Sequence, residues 1–92
     1  MFQVYDSDWA ALIEDNKLKR EDWSPDAPNR FLAARAAEIG LPTLDLLPAF
    51  RAEAARGGVP LYFARDRHWT SAGHALAARE VAQFLTARGL TP

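Results

Sequence analysis

Short apolar runs alternate with amphipathic segments along this chain, and that alternation constrains the fold more than any other feature of the sequence. The runs are FQVY at 2–5, LPTLDLL at 41–47 and VPLYF at 59–63. Their length and their content of aromatic and β-branched residues are typical of short strands. Strands that alternate with helices form right-handed β-α-β units. We therefore predict an α/β fold with a small parallel sheet of about two or three strands flanked by helices.

Capping residues, prolines and glycines border the segments between these runs. They predict one helix after Asp6 or Ser7, one from Ser24–Pro28 to Gly40, one over 49–56 and one over 71–88. The last is the clearest, because Leu76, Val81 and Phe84 recur on one face of a helix. Gly89 follows it in the position where glycine ends helices.

The chain has 92 residues, and a globule of this size buries only roughly 60–65% of its unfolded surface. Hydrophobic residues make up 49% and charged residues 25%, which indicates a folded domain with one modest core. We expect residues 1–92 to form a single domain or a fragment of a larger domain. So small a sheet has exposed edge strands, which favour a homo-oligomer.

The net charge, the cysteine content and the length of the apolar runs argue against several classes of function. A net charge of −1 and scattered basic residues predict no nucleic-acid partner. The absence of cysteine excludes thiol catalysis, cysteine-bound metal and disulfides. No apolar run approaches the roughly 20 residues that span a bilayer, so we predict no membrane segment in this chain. The cellular location stays open, and a periplasmic or membrane-associated parent is compatible with the sequence.

The segment ARDRHWTSAGH at 64–74 concentrates polar chemistry at one point. Asp66 and His68 follow the third apolar run and precede the last helix, a position that faces ligands in parallel α/β sheets. A carboxylate two residues from an imidazole can orient the ring, and the other ring nitrogen then serves as a general base. The segment is therefore either a catalytic pair or a polar loop before a helix.

The Asp66-Arg67-His68-Trp69 sequence, followed by Thr70 and Gly73, resembles the C-terminal catalytic block of the SGNH/GDSL hydrolase superfamily. The more common GDSL pattern has two residues between Asp and His, whereas this sequence has one. The block is therefore most similar to the branch that contains the alginate O-acetyltransferases. Roughly residues 38–85 carry the resemblance. It implies a three-layer, flavodoxin-like α/β/α fold and either carbohydrate ester hydrolysis or O-acetyl transfer.

The resemblance also implies roles for the two residues. His68 would be the general base of a Ser-His-Asp triad, and Asp66 its orienting partner. The chain contains no Gly-Asp-Ser-like motif, and Ser7, Ser24 and Ser71 occupy loop or cap positions. We therefore expect the nucleophilic serine to lie outside this chain and the isolated chain to be inactive or nearly so. The alternative function is a non-catalytic interaction or assembly module that keeps the motif for structural reasons.

Other polar residues have two interpretations each. Arg65 or Arg67 would contact the carboxylate of an anionic sugar, or would simply be solvated. His74 would join the Asp-His pair at a metal ion, or would bond locally in the first helical turn, and we expect no metal and no cofactor. Asp45 would be functional or would anchor the following helix. The Trp and Tyr side chains would line a sugar-binding surface or pack in the core.

Overall fold

The computed structural model describes residues 2–90 of the chain, which divide into two compact units, one ending at Leu47 and the other beginning at Pro48. The first unit contains helix α1 (Asp6–Asp15), a 3-10 turn (Arg20–Asp22) and helix α2 (Ala27–Glu38). Helix α3 (Leu47–Ala55) begins at the boundary, and helix α4 (Ser71–Ala87) follows in the second unit. The described part of the chain is therefore helical.

The predicted α/β fold, with a parallel sheet of two or three strands flanked by helices, is wrong for this structure. Residues 2–90 contain no β-strand. The first apolar run is mostly turn, and the second is irregular up to Leu47, where α3 begins. An apolar run becomes a strand only when a neighbouring strand bonds its backbone groups. Pro42 and Pro60 also remove a backbone donor from the second and third runs. In the third run, Tyr62 instead forms an isolated antiparallel bridge with Trp69.

This correction removes the sheet edges on which we based the predicted homo-oligomer. Self-association stays a prediction, without that reason. No helix within residues 2–90 combines the length and the apolar character that a membrane-spanning helix needs.

All four predicted helices are present, with ends shifted by a few residues. The end of α4 shows why such ends are predictable. Gly89 has a φ of 66°, a conformation that costs glycine little because it lacks a Cβ. The N–H groups of Gly89 and Leu90 donate to the carbonyls of Thr86 and Leu85 at 3.1 and 2.9 Å, which completes a Schellman motif.

Each unit has a small set of buried apolar side chains. In the first unit these are Val4, Ile13, Ala36 and Leu47; in the second they are Phe50, Leu61, Leu76 and Ala77. Phe50 and Leu61 are the most deeply buried, with 1% and 2% of their surface exposed. Both belong to the elements that support the Asp66-His68 segment.

Candidate functional site

Asp66 and His68 lie on a tight turn formed by residues 63–68. The Phe63 N–H donates to the His68 carbonyl at 2.8 Å, and the Arg67 N–H donates to the Phe63 carbonyl at 3.1 Å. Below the turn, the Thr70 N–H donates to the Leu61 carbonyl at 2.9 Å. Residues 61–63 and 68–70 thus form a short stem, which presents the turn just before α4.

The Asp66 carboxylate contacts His68 twice. Its Oδ1 atom accepts a hydrogen bond from the His68 backbone N–H at 3.0 Å, and it lies 3.5 Å from the His68 Nδ1 atom. The second distance exceeds that of a good N–H···O bond, although catalytic hydrogen bonds often tighten only when substrate binds. The side chains of His68 and Asp66 are 83% and 60% exposed. The structure therefore brings together the two residues that the sequence singled out.

Arg67, between them, adopts a left-handed conformation with φ of 63°. An L-residue in this region costs roughly 1–2 kcal/mol, and the turn requires it because the chain must reverse within four residues. The reversal brings the Asp66 carboxylate to the backbone N–H of His68. Arg67 is half-buried, and Arg65 is exposed.

Thr70 and Gly73 connect the stem to α4. Thr70 is the N-cap, and its Oγ1 atom accepts a hydrogen bond from the Gly73 N–H at 3.3 Å. The same hydroxyl donates to the Pro60 carbonyl at 2.6 Å. Ser71, for which a loop or cap position was predicted, is instead the first helical residue, because the N-cap Thr70 precedes it.

Aromatic side chains pack on the other side of the stem. The Phe50 ring lies 5.6 Å from the Trp69 ring and 6.0 Å from the Tyr62 ring, measured between centroids. The His74 ring meets Trp69 edge-on at 5.3 Å. Trp69 is half-buried and packs against the buried Phe50 ring. His74 lies in the first turns of α4, which was one of its two interpretations, with its ring edge-on to Trp69.

This geometry permits general base chemistry. A carboxylate that accepts the Nδ1–H group of an imidazole favours the tautomer in which Nε2 accepts a proton, and Asp66 Oδ1 lies 3.5 Å from His68 Nδ1. Ser71, the serine nearest in sequence, makes no hydrogen bond with the His68 imidazole. Residues 2–90 contain no group of three or more His, Asp or Glu side chains arranged to hold a metal ion.

The first unit holds a separate polar chain of contacts. The Gln3 amide donates to Asn29 Oδ1 at 2.9 Å, and the Asn29 amide donates to Asp45 Oδ1 at 2.7 Å. Asp45 Oδ1 also accepts the Leu47 N–H at 3.0 Å, at the start of α3. Asp45 thus has the anchoring role that was one of its two interpretations.

A largely apolar cavity of about 570 Å³ also lies in the first unit. Its lining residues include two tryptophans, three aliphatic residues and three residues of the 24–28 segment: Trp9, Trp23, Leu12, Ile13, Leu18, Ser24, Pro25 and Pro28. Its volume is within the range of small-molecule pockets.

Sequence reasoning missed Phe50, and it named Gly73 only as part of the resemblance, without a structural role. Phe50 had no signal of its own, because any apolar residue of α3 satisfies the helical pattern. Gly73 did have one, since glycine inside an otherwise strong helix costs about 1 kcal/mol and requires a packing reason.

A protein-family model described as "SGNH hydrolase-like domain, acetyltransferase AlgX" matches residues 10–91, almost the whole chain. No curated protein and no solved structure matches. The match includes the complete Asp66-His68 turn and α4.

Proposed function

Because this chain belongs to the family of SGNH hydrolase-like domains of the acetyltransferase AlgX, we propose that it carries the Asp-His half of a Ser-His-Asp triad for acyl transfer. Asp66 orients the imidazole, and His68 is the general base. The observation that carries this proposal is the His68 Nδ1 atom lying 3.5 Å from the Asp66 carboxylate on an exposed turn. The transferred acyl group is acetyl, its donor is an acetyl ester, and the acceptor is a carbohydrate hydroxyl or water.

In the first half-reaction, a serine Oγ attacks the acetyl carbonyl of the donor ester while His68 Nε2 takes the serine proton. The donor alcohol leaves with that proton, and acetyl-serine remains. In the second half-reaction, His68 takes a proton from a sugar hydroxyl or water, whose oxygen attacks the acetyl carbonyl. His68 then returns that proton to the serine Oγ as the acetyl–serine bond breaks. The Asp66 carboxylate stabilises the imidazolium that forms in each step.

We place the nucleophilic serine outside the 92 residues. The sequence has no Gly-Asp-Ser-like motif. Ser24 Oγ already accepts bonds from the Asp26 N–H at 3.2 Å and from Arg30 at 3.3 Å. Ser71 is an exposed first-turn residue without a bond to the imidazole that would activate it.

Hydrolysis of p-nitrophenyl acetate tests the proposal on two polypeptides, the 92-residue chain and the polypeptide encoded by its complete reading frame. In the complete polypeptide, we expect His68→Ala and Asp66→Asn to lower kcat/KM by about 10³ to 10⁴-fold, as removal of a triad member does in serine hydrolases. Asp22→Asn, a change at an exposed carboxylate of the 3-10 turn, is the matched control and keeps full activity.

The 92-residue chain should hydrolyse the ester no faster than its own His68→Ala variant. Activity of the complete polypeptide that survives His68→Ala would contradict the role of the base. Activity of the 92-residue chain that disappears in Ser71→Ala would contradict an external nucleophile. Adding an unacetylated polysaccharide and measuring the acetyl ester formed on it separates transfer from hydrolysis.

The second candidate is the non-catalytic assembly module, and exposed apolar side chains on α2 and at its C-cap, Ile39, favour it. Phe31, Leu32 and Ile39 are 60%, 65% and 76% exposed. Leu32 and Ile39 lie two helical turns apart and share a face, and apolar residues clustered on one surface often mark an interface. Sedimentation velocity distinguishes the candidates: an assembly module forms oligomers that Leu32→Lys dissociates, whereas a monomer at all concentrations counts against it.

A further inference from the structure

Gly73 occupies the third position of α4, where glycine is the least favourable residue after proline. A Cβ at this position would collide with the carbonyl oxygen of Leu61 and would lie 3.0 and 3.2 Å from Cβ and Cγ of Trp69. The Leu61 oxygen belongs to the backbone and cannot rotate away as the end of a flexible side chain would. Any side chain at position 73 therefore forces the helix or the stem to move.

The obstructing carbonyl is itself part of the stem. Leu61 O accepts the Thr70 N–H at 2.9 Å, and Leu61 is 2% exposed. Trp69, the other close neighbour, is packed against Phe50. At Gly73, the first turn of α4 thus lies directly against the Leu61 carbonyl and the half-buried Trp69.

Hydrogen bonds within the stem and the turn hold both backbone polar groups of His68. The His68 carbonyl accepts the Phe63 N–H, and the His68 N–H donates to Asp66 Oδ1. A displacement of the stem would therefore move the His68 backbone that carries the imidazole.

We propose that Gly73 is a positioning residue for His68: the missing side chain lets α4 seat on the Leu61 carbonyl and thereby sets the geometry of the Asp66-His68 turn. The catalytic consequence of this inference rests on the proposed function, whereas the geometric part does not.

The test compares Gly73→Ala with Gly58→Ala in the 92-residue chain. A Cβ at Gly58 would have no heavy atom within 4 Å, and Gly58 has no positive φ, so alanine fits there. Helix propensity alone predicts that Gly73→Ala stabilises the chain. Steric conflict with Leu61 predicts the opposite, and the two explanations therefore differ in the sign of the change in melting temperature.

Amide signals in ¹H–¹⁵N correlation spectra report the geometry. We expect Gly73→Ala to displace the signals of His68 and Thr70 and to lower the melting temperature, while Gly58→Ala leaves both unchanged. Undisplaced signals together with an equal or higher melting temperature would overturn the inference.

If Gly73→Ala does not fold, hydrogen exchange of the wild-type chain provides the test. The amides of Phe63, Thr70 and Gly73 should exchange at similar rates, because stem and helix open as one unit. Exchange of Phe63 and Thr70 at least about tenfold faster than that of Gly73 would mean that the stem moves independently, and would overturn the inference.

In the complete polypeptide, Gly73→Ala should lower kcat for p-nitrophenyl acetate while KM stays near the wild-type value. Displaced amide signals with an unchanged kcat would support the positioning geometry and contradict the catalytic role of His68. Unchanged signals would contradict the positioning itself, whatever the activity. The two failures are therefore distinguishable.

Discussion

The Thr70 hydroxyl joins the stem of the Asp66-His68 turn to α4, and Thr70→Val measures what it contributes. Valine keeps the shape of threonine but loses the bond to the Pro60 carbonyl at 2.6 Å and the bond from the Gly73 N–H at 3.3 Å. Loss of an N-cap costs about 1 kcal/mol, and loss of the second bond about 0.5–1.5 kcal/mol. We expect Thr70→Val to lower the free energy of unfolding by about 2 kcal/mol.

Thr70→Ser is the matched control, because it keeps the hydroxyl and loses only a methyl group. It should stay within about 0.5–1 kcal/mol of the wild type. Urea unfolding followed by circular dichroism and by tryptophan fluorescence gives both values. For a chain of this size, 2 kcal/mol corresponds to a fall in Tm of about 8–16 °C. A valine variant as stable as the wild type would refute the reasoning, and so would a serine variant as unstable as the valine variant.

Three further changes have expected outcomes by the same unfolding assay. Phe50→Leu removes a 1% exposed ring from its contacts with two aromatic neighbours and should cost about 1–3 kcal/mol, whereas Phe63→Leu, at a 53% exposed ring, should cost less than about 0.5 kcal/mol. Asp45→Ala removes the acceptor of two hydrogen bonds and should cost about 1–2 kcal/mol, and Asp45→Asn should restore part of the loss. Arg67→Gly should be more stable than Arg67→Ala by roughly 1 kcal/mol, because both lack the arginine side chain and only alanine is strained at φ of 63°; equal stabilities would contradict a strained turn.

The helices could be predicted from the sequence because their signals are local. Pro28 in the first turn of α2 and Gly89 after α4 act within a few residues of themselves, so their effect needs no knowledge of the rest of the chain. The strands could not be predicted in the same way. The apolar pattern of 41–47 is compatible with a strand, but only a pairing segment from elsewhere can supply its backbone hydrogen bonds.

The conformation of the Asp66-His68 turn could likewise be predicted from the sequence only in part. The sequence predicted that Asp66 and His68 lie together, since two residues cannot separate them far. It contained no signal that Arg67 would take a left-handed conformation, because arginine has no preference for it. That conformation follows from the closure of the stem by Tyr62 and Trp69, which is a contact between segments.

The Asp66-His68 geometry does not depend on the predicted sheet. The predicted sheet placed these residues at the carboxyl end of a strand, but in the structure the hydrogen bonds described above for the turn and its stem join residues between 60 and 73. Contacts at such short separation cost little chain entropy to form, so the turn assembles from its own sequence. The error in fold class therefore leaves the proposed chemistry unchanged: His68 is oriented by a carboxylate two residues away, on a stem that Thr70 and Gly73 attach to α4.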